Sequence, residues 1–165
     1  MSLILVVLIL SAEILSLSNN NFTGRLRDNF NGLTNLDFVD LSQNEFSGTI
    51  PPSLFDIPTI RLIYLNNNKL QGQIPSNFGN APVLRDLYLY NNLLEGQVPP
   101  IQQDQLSKMQ EFLVQNNDIT GMMPPSICAL RSQNGILENL WSDCSAADSE
   151  MPKVECECCT QCTFV

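Results

Sequence analysis

The pattern of hydrophobic and polar positions along the chain repeats at a regular interval, marked by a recurring asparagine. Apolar residues stand five and three positions before this asparagine and two positions after it, and a glycine stands four positions after it in every unit. Another apolar residue stands six positions after the asparagine, and a proline follows it directly in four of five units. Seven matching columns in five units predict a series of similar structural repeats. The asparagines are Asn20, Asn44, Asn68, Asn92 and Asn117.

The apolar positions before each asparagine alternate with other residues, which is typical of a short β-strand with one buried face. Stacked repeats pair such strands into a parallel sheet, and their inward side chains form a continuous core. The asparagine is expected to turn inward and to bond backbone groups that would otherwise be buried without partners. A second apolar set with three-residue spacing, such as Phe30, Leu33 and Leu36, predicts one or two helical turns on the opposite side.

The consensus LxLxxNxLxGxIP resembles the plant-type extracellular leucine-rich repeat, the kind found in receptor-like kinase ectodomains, receptor-like proteins and polygalacturonase-inhibiting proteins. The resemblance covers residues 13–131, although Leu26-Arg27 lacks the proline and Met123 replaces the usual isoleucine. It implies an α/β leucine-rich-repeat solenoid, or horseshoe, of about five repeats. Its parallel β-sheet would form the concave face, and short 3-10 or helical turns would form the convex face.

A cysteine-rich segment ends the chain and is predicted to be a C-terminal cap over residues 132–165. All six cysteines lie between Cys128 and the C-terminus, and this concentration favours disulfides and a secretory route, with a zinc site as the alternative. Six cysteines allow fifteen pairings, which the sequence leaves open. Residues 137–144 look like a degraded sixth strand, and the segment 128–162 resembles the cysteine-rich cap of diatom leucine-rich-repeat proteins. The cysteines are Cys128, Cys144, Cys156, Cys158, Cys159 and Cys162.

Residues 1–12 allow two interpretations. The apolar run from Leu3 to Leu10 suits the core of a signal peptide, although it is shorter than the ~20 residues of a membrane span. The other interpretation is a partial N-terminal repeat, because Val6, Ile9 and Ala12 lie one full repeat before the first convex apolar set. The segment is therefore expected to be a hydrophobic leader, an anchor or a truncated repeat.

The candidate ligand-binding site is the concave face, where positions beside the inward strand residues project outward. All three tyrosines of the chain fall on these positions, with arginines and aspartates around them. Exposed aromatic residues beside arginine are typical of binding hot spots. The alternative is that Tyr64 and Tyr88 simply stack as neighbours on adjacent strands. The predicted site residues are Asp40, Arg61, Tyr64, Arg85, Asp86, Tyr88, Tyr90 and Leu113.

The charge and composition narrow the classes of function. Eight basic against seventeen acidic residues give a net charge of −9, which argues against nucleic acid and anionic membrane surfaces as partners. The absence of histidine removes the commonest general base and metal ligand, so no enzyme activity, cofactor or metal is expected. Asn21-Phe22-Thr23 is an N-glycosylation sequon and makes Asn21 a glycosylation candidate.

These observations predict a non-catalytic module that binds a protein or peptide ligand, secreted or at the cell surface, in recognition or receptor-type signalling. One alternative, from the resemblance, is a secreted inhibitor of a cell-wall hydrolase. A structural or adhesive cell-wall protein is another, with a glycan as a possible partner class. Membrane attachment is expected only through a partner or an anchor outside the repeats.

Overall fold

The computed structural model of the protein describes residues 12–132, 136–145 and 153–164. Both interpretations of the N-terminal segment concern residues that lie outside this part, except Ala12. The described strands, in chain order, are β1 (Ile14–Ser16), β2 (Thr23–Arg25), β3 (Phe38–Asp40), β4 (Glu45–Gly48), β5 (Leu62–Tyr64), β6 (Lys69–Gly72), β7 (Asp86–Tyr88), β8 (Leu93–Gly96), β9 (Glu111–Leu113), β10 (Asp118–Ile119), β11 (Gly121–Met122), β12 (Asn139–Ser145), β13 (Val154–Glu155) and β14 (Gln161–Phe164).

Parallel pairing of equivalent strands stacks the repeats into a solenoid, as the period predicts. The sheet of the concave face has the strand order β1-β3-β5-β7-β9-β12-β14. Its register repeats the period, because Val39 pairs with Ile63 and Ile63 pairs with Leu87. A second parallel sheet, β10-β8-β6-β4-β2, runs beside it just after the asparagine turns. The short pair β11-β13 joins the last repeat to the cap.

One apolar core runs through all the repeats, between the concave sheet and the convex turns. Its strand positions, such as Ile63 and Leu87, are fully buried. The predicted convex residues are buried as well, and two of their segments form 3-10 helices, Pro52–Asp56 and Phe78–Asn80. The equivalent segment around Leu33 forms turns instead. Burial of these apolar columns supplies most of the driving force for stacking.

The recurring asparagines bridge consecutive repeats through their side-chain amides. Asn92 donates from Nδ2 to the carbonyls of Leu65 and Leu89, each at 3.0 Å, and its Oδ1 accepts the Leu70 N–H at 3.0 Å. Equivalent bonds are made by Asn44, Asn68 and Asn117. Each asparagine therefore satisfies buried backbone groups of its own repeat and of the previous one. Asn20, in the first repeat, is exposed.

The glycine column turns the chain after each asparagine. All five glycines have positive φ, between +77° and +103°, a region that favours glycine. At Gly72 a Cβ atom would also lie 3.1 Å from Thr49 Cγ2 of the previous repeat. Backbone conformation therefore favours glycine throughout the column, and at Gly72 close stacking adds a second requirement.

Helix α1 (Pro125–Ser132) leads from the last repeat into the C-terminal cap, which adds β12 and β14 to the concave sheet. Its cysteines form three disulfides, Cys128–Cys158, Cys144–Cys162 and Cys156–Cys159, which resolves the choice between disulfides and a zinc site. β12 is the predicted sixth strand. Asp143 compensates for its missing asparagine turn, because its carboxylate accepts the N–H groups of Asn116 and Asn117 at 2.8 and 3.1 Å.

Candidate functional site

The concave sheet places the tyrosines in register. Tyr64 ends β5 and Tyr88 ends β7, and the two residues are directly paired across the strands. Asp40 pairs with Tyr64 on one side, and Leu113 pairs with Tyr88 on the other. Because side chains alternate along each strand, these four residues point away from the core that the intervening leucines fill. The repeat period thus aligns them in one row across the sheet.

The aromatic rings form a stack on this row. The Tyr64 and Tyr88 rings lie 4.3 Å apart between centroids and only 5° from parallel. Phe38 packs edge-on against Tyr64 at 5.2 Å, and Tyr90 lies 6.2 Å from Tyr88. Stacking of neighbours on adjacent strands is therefore present, as the alternative interpretation expects. All three tyrosines remain half-buried, so their ring edges and hydroxyls still reach the concave surface. We call Phe38, Tyr64, Tyr88 and Tyr90 the aromatic row.

Neighbouring carboxylates orient the hydroxyls of Tyr64 and Tyr88 through hydrogen bonds. Tyr88 Oη donates to Glu111, and Tyr64 Oη lies 3.5 Å from Asp86 Oδ2. Partial burial, followed by the hydrogen bond to Glu111 and its charge, raises the pKa of Tyr88 far above its ordinary value. Partial burial and the charge of Asp86 raise the pKa of Tyr64 as well. Both phenols are therefore neutral hydrogen-bond donors to acidic residues and poor candidates for a nucleophile or general base.

The two arginines of the predicted site pair with neighbouring aspartates. Arg61 binds Asp37 through two nitrogens, and this pairing lowers the pKa of the Asp37 carboxyl. Arg85 donates to both oxygens of Asp86, at 3.2 and 3.1 Å. Both arginine side chains are largely exposed at the edge of the face. Their charges are consequently compensated within the site.

The predicted site residues fall into two groups. The structure places Asp40, Tyr64, Tyr88 and Tyr90 half-buried on the concave surface, and Arg61 and Arg85 exposed beside them. The expectation that Asp86 and Leu113 are accessible is wrong, because they are only 5% and 9% exposed.

Asp86 is buried because Arg85 and the Tyr64 hydroxyl lie over its carboxylate. Leu113 is buried between two large neighbours, Tyr88 on one side and Trp141 on the other. These residues support the surface from below and are not positioned to contact a ligand.

Trp141 was not among the predicted site residues, and it extends the row into the cap. It is half-buried and pairs with Leu113. The repeat period does not predict its position in the row, because the number of residues from β9 to β12 is larger than the number between the strands of consecutive repeats. The signal available in the sequence was the Leu137–Leu140 spacing of the degraded strand, which fixes the register of the residue that follows.

Neither a metal site nor a membrane helix is found among the residues that the structure describes. No group of three or more potential metal-ligating side chains is close enough to hold an ion there. No helix in the same part has the length and apolar composition needed to cross a bilayer. Asn21, the glycosylation candidate, is exposed after the first strand.

Comparison with known proteins agrees with this architecture. Residues 11–70 match the leucine rich repeat family. The chain is a leucine-rich-repeat solenoid. No curated protein matches its sequence.

Solved structures of plant receptors share this leucine-rich-repeat fold. The plant peptide hormone receptor RGFR1, solved in complex with RGF2, is 33% identical over 73% of this chain, with a TM-score of 0.69. The ectodomain of the Arabidopsis thaliana receptor kinase GASSHO1/SCHENGEN3, in complex with Casparian strip integrity factor 2, is 31% identical over 79%, with a TM-score of 0.70.

The lengths of the matched proteins differ widely. This chain spans only 19% and 15% of those two receptor chains. A third similar structure, pollen receptor kinase 3, is 26% identical with a TM-score of 0.63, and the match covers 90% of this chain and 62% of that one. The leucine-rich-repeat solenoid described here therefore corresponds to a short stretch of the larger ectodomains.

Proposed function

We propose that the concave face binds an extended peptide or protein segment, outside the cell or at its surface. The observation that carries the proposal is the aromatic row, whose half-buried tyrosines lie together on one open sheet. Aromatic side chains on such a surface supply contact area at low entropic cost. Two of the similar receptor structures contain peptide or protein partners, which supports the same class of ligand here.

The stacking geometry favours a peptide over a glycan. Sugars pack on open aromatic faces, whereas Tyr64 and Tyr88 cover each other and Phe38 covers the far side of Tyr64. What remains is a line of ring edges, hydroxyls and carboxylates. A peptide chain can lie along such a line with its side chains on either side. No comparable feature supports inhibition of a cell-wall hydrolase.

A binding role without catalysis also fits the chemistry of the surface. The tyrosines of the row are neutral phenols with raised pKa values, and the chain has no histidine. One groove, with a volume of about 600 Å³, lies near Thr49, Gln73 and Gln97, away from the aromatic row. Because no ionisable side chain lines that groove, it offers no acid or base.

The cap supports placing the protein outside the cell. Three disulfides persist in oxidising compartments and are rare in the cytosol. The exposed Asn21 is available for glycosylation on the same route. We propose a secreted or cell-surface protein, attached to a membrane only through a partner or an anchor outside the repeats.

A display selection tests the proposed function. Random peptides of about nine residues, roughly 30 Å when extended, would be selected for binding to the full chain with its disulfides intact. Enriched peptides are expected to bind Tyr88→Ala at least tenfold more weakly than the parent. Leu93→Ala is the matched control, because Leu93 is 54% exposed on the second sheet and should not affect binding. Equal binding to both variants would contradict the proposal.

A further inference from the structure

Negative charge on the concave face is only partly compensated. Asp37 and Asp86 have arginine partners, whereas Asp40 and Glu111 have none among the ion pairs of the described residues. Both are half-buried. A partly buried carboxylate without a counterion attracts a cation more strongly than one in open water, since the local dielectric constant is lower. Asp40 and Glu111 are therefore negative charges of this surface without an ion-pair partner among the described residues.

These two carboxylates lie at opposite ends of the stacked tyrosine pair. Asp40 is directly paired with Tyr64, and Glu111 accepts the hydrogen bond of Tyr88. Two neutral donors, Tyr88 Oη and Asn139 Nδ2, orient the carboxylate of Glu111 without neutralising its charge. Asp40 accepts the Ser42 N–H and hydroxyl through Oδ1 alone. Its Oδ2 has no hydrogen-bond partner among the described residues.

The hydrogen-bonding groups between the carboxylates are mainly acceptors. Each stacked tyrosine directs its hydroxyl proton at a carboxylate, so the phenolic oxygen that remains can only accept. A surface rich in free acceptors is complementary to a ligand rich in donors.

We propose that the segment bound by the concave face is basic, with two Lys or Arg side chains that pair with Asp40 and Glu111 on either side of the tyrosine stack. This inference rests on the proposed function and specifies its partner. Lysine and arginine carry only donors, so they satisfy the acceptors of the row and compensate its charge together. Their alkyl stems can also pack along the ring edges of the stacked tyrosines.

The distance between the carboxylates predicts the spacing of the basic residues. Asp40 and Glu111 lie three strands apart and two residues apart along the strand direction. Strands about 4.8 Å apart with a rise of about 3.3 Å per residue place them roughly 16 Å from each other. An extended peptide covers about 13 Å over four residues and presents residues i and i+4 on the same side. The ligand is therefore expected to carry Lys or Arg at i and i+4.

The composition of the peptides enriched by the display selection tests this inference separately from the proposed function. Enriched peptides should gain Lys and Arg relative to the starting library, with pairs at i and i+4 the most frequent. Neutral or acidic peptides that still depend on Tyr88 would overturn the basic ligand and leave the proposed function standing. Basic peptides that bind regardless of Tyr88 would contradict the proposed site and this inference together.

Charge variants of the chain give a second readout with one enriched basic peptide. Asp40→Asn and Glu111→Gln should each weaken binding about fivefold, and the double variant about 25-fold, since the sites are well separated. Glu95→Gln on the second sheet removes the same charge away from the row and should leave affinity unchanged. Asp40→Lys should reverse the preference toward a peptide with Glu at the corresponding position. Equal weakening by Glu95→Gln would show general attraction to an acidic protein and overturn the inference.

Discussion

The asparagine ladder and the aromatic row follow the same repeat, but they serve different purposes. Asn92 is 7% exposed and bonds to the backbone of two repeats. Tyr88 is half-buried and bonds only to another side chain. Removing the first leaves buried backbone groups without partners, whereas removing the second exposes groups that water can reach. Periodicity alone therefore does not distinguish structural residues from candidate ligand-binding residues, whereas the hydrogen-bond partner of each side chain does.

The largest expected effect on stability comes from the ladder. Asn92→Ala removes three hydrogen bonds to buried backbone groups and should lower the free energy of unfolding by about 3–5 kcal/mol. Urea unfolding followed by circular dichroism measures the change. The control is Asn20→Ala, because Asn20 is exposed in the first repeat and should cost less than about 1 kcal/mol. Similar losses of unfolding free energy in both variants would show that the contribution of an asparagine in the ladder does not depend on its burial.

The second-largest effect on stability is expected from the cap, and its disulfides should stabilise the fold to different extents. Cys128–Cys158 closes a loop with a sequence separation of 30 residues, whereas Cys156–Cys159 closes one of 3. Loop-closure entropy predicts a loss of about 3–4 kcal/mol for the Cys128→Ala/Cys158→Ala pair and about 2 kcal/mol for the Cys156→Ala/Cys159→Ala pair. Urea unfolding at neutral pH compares the two double variants. An equal or reversed order would contradict the entropic account of the cap.

The smallest effect is expected for the ion pair at the edge of the concave face. Arg61 lowers the pKa of Asp37, so the pair stabilises the fold above the ordinary carboxyl pKa. That contribution is lost as the pH falls below about 4, through the lowered pKa of the folded state. Asp37→Asn should therefore flatten slightly the decline of the unfolding midpoint between about pH 5 and 3. An unchanged pH profile would show that solvent screens the pair completely.

The repeats were predictable from sequence because every unit has the same environment. The leucine and asparagine columns occupy equivalent places in each turn, so their spacing alone predicts the strands and the asparagine ladder. Residues of the cap lie outside the repeats, so their positions cannot be predicted from the repeat spacing. The carboxylate of Asp143, the register of Trp141 and the pairing of the cysteines depend on the path of the cap, which no repeat determines.

The candidate site was predictable in position but not in detail. Alternation along the strands placed the tyrosines on the concave face, where the structure has them half-buried. The burial of Asp86 and Leu113 depends on which neighbouring side chains lie over them, and so does the pairing of both arginines. A second amide ladder, Asn67–Asn91–Asn116, with Nδ2 to Oδ1 distances of 2.6 Å, was also missed. Such contacts arise between side chains of different repeats.

One pair of measurements on Tyr88→Ala tests most directly whether the row serves recognition. Affinity for an enriched peptide and the free energy of unfolding would be measured on the same preparation. We expect the affinity to fall at least tenfold while the free energy of unfolding changes by about 1 kcal/mol or less, because the ring is half-buried outside the core. Unchanged affinity together with a loss of several kcal/mol would show that the tyrosine stack is a structural element and contradict its role in binding.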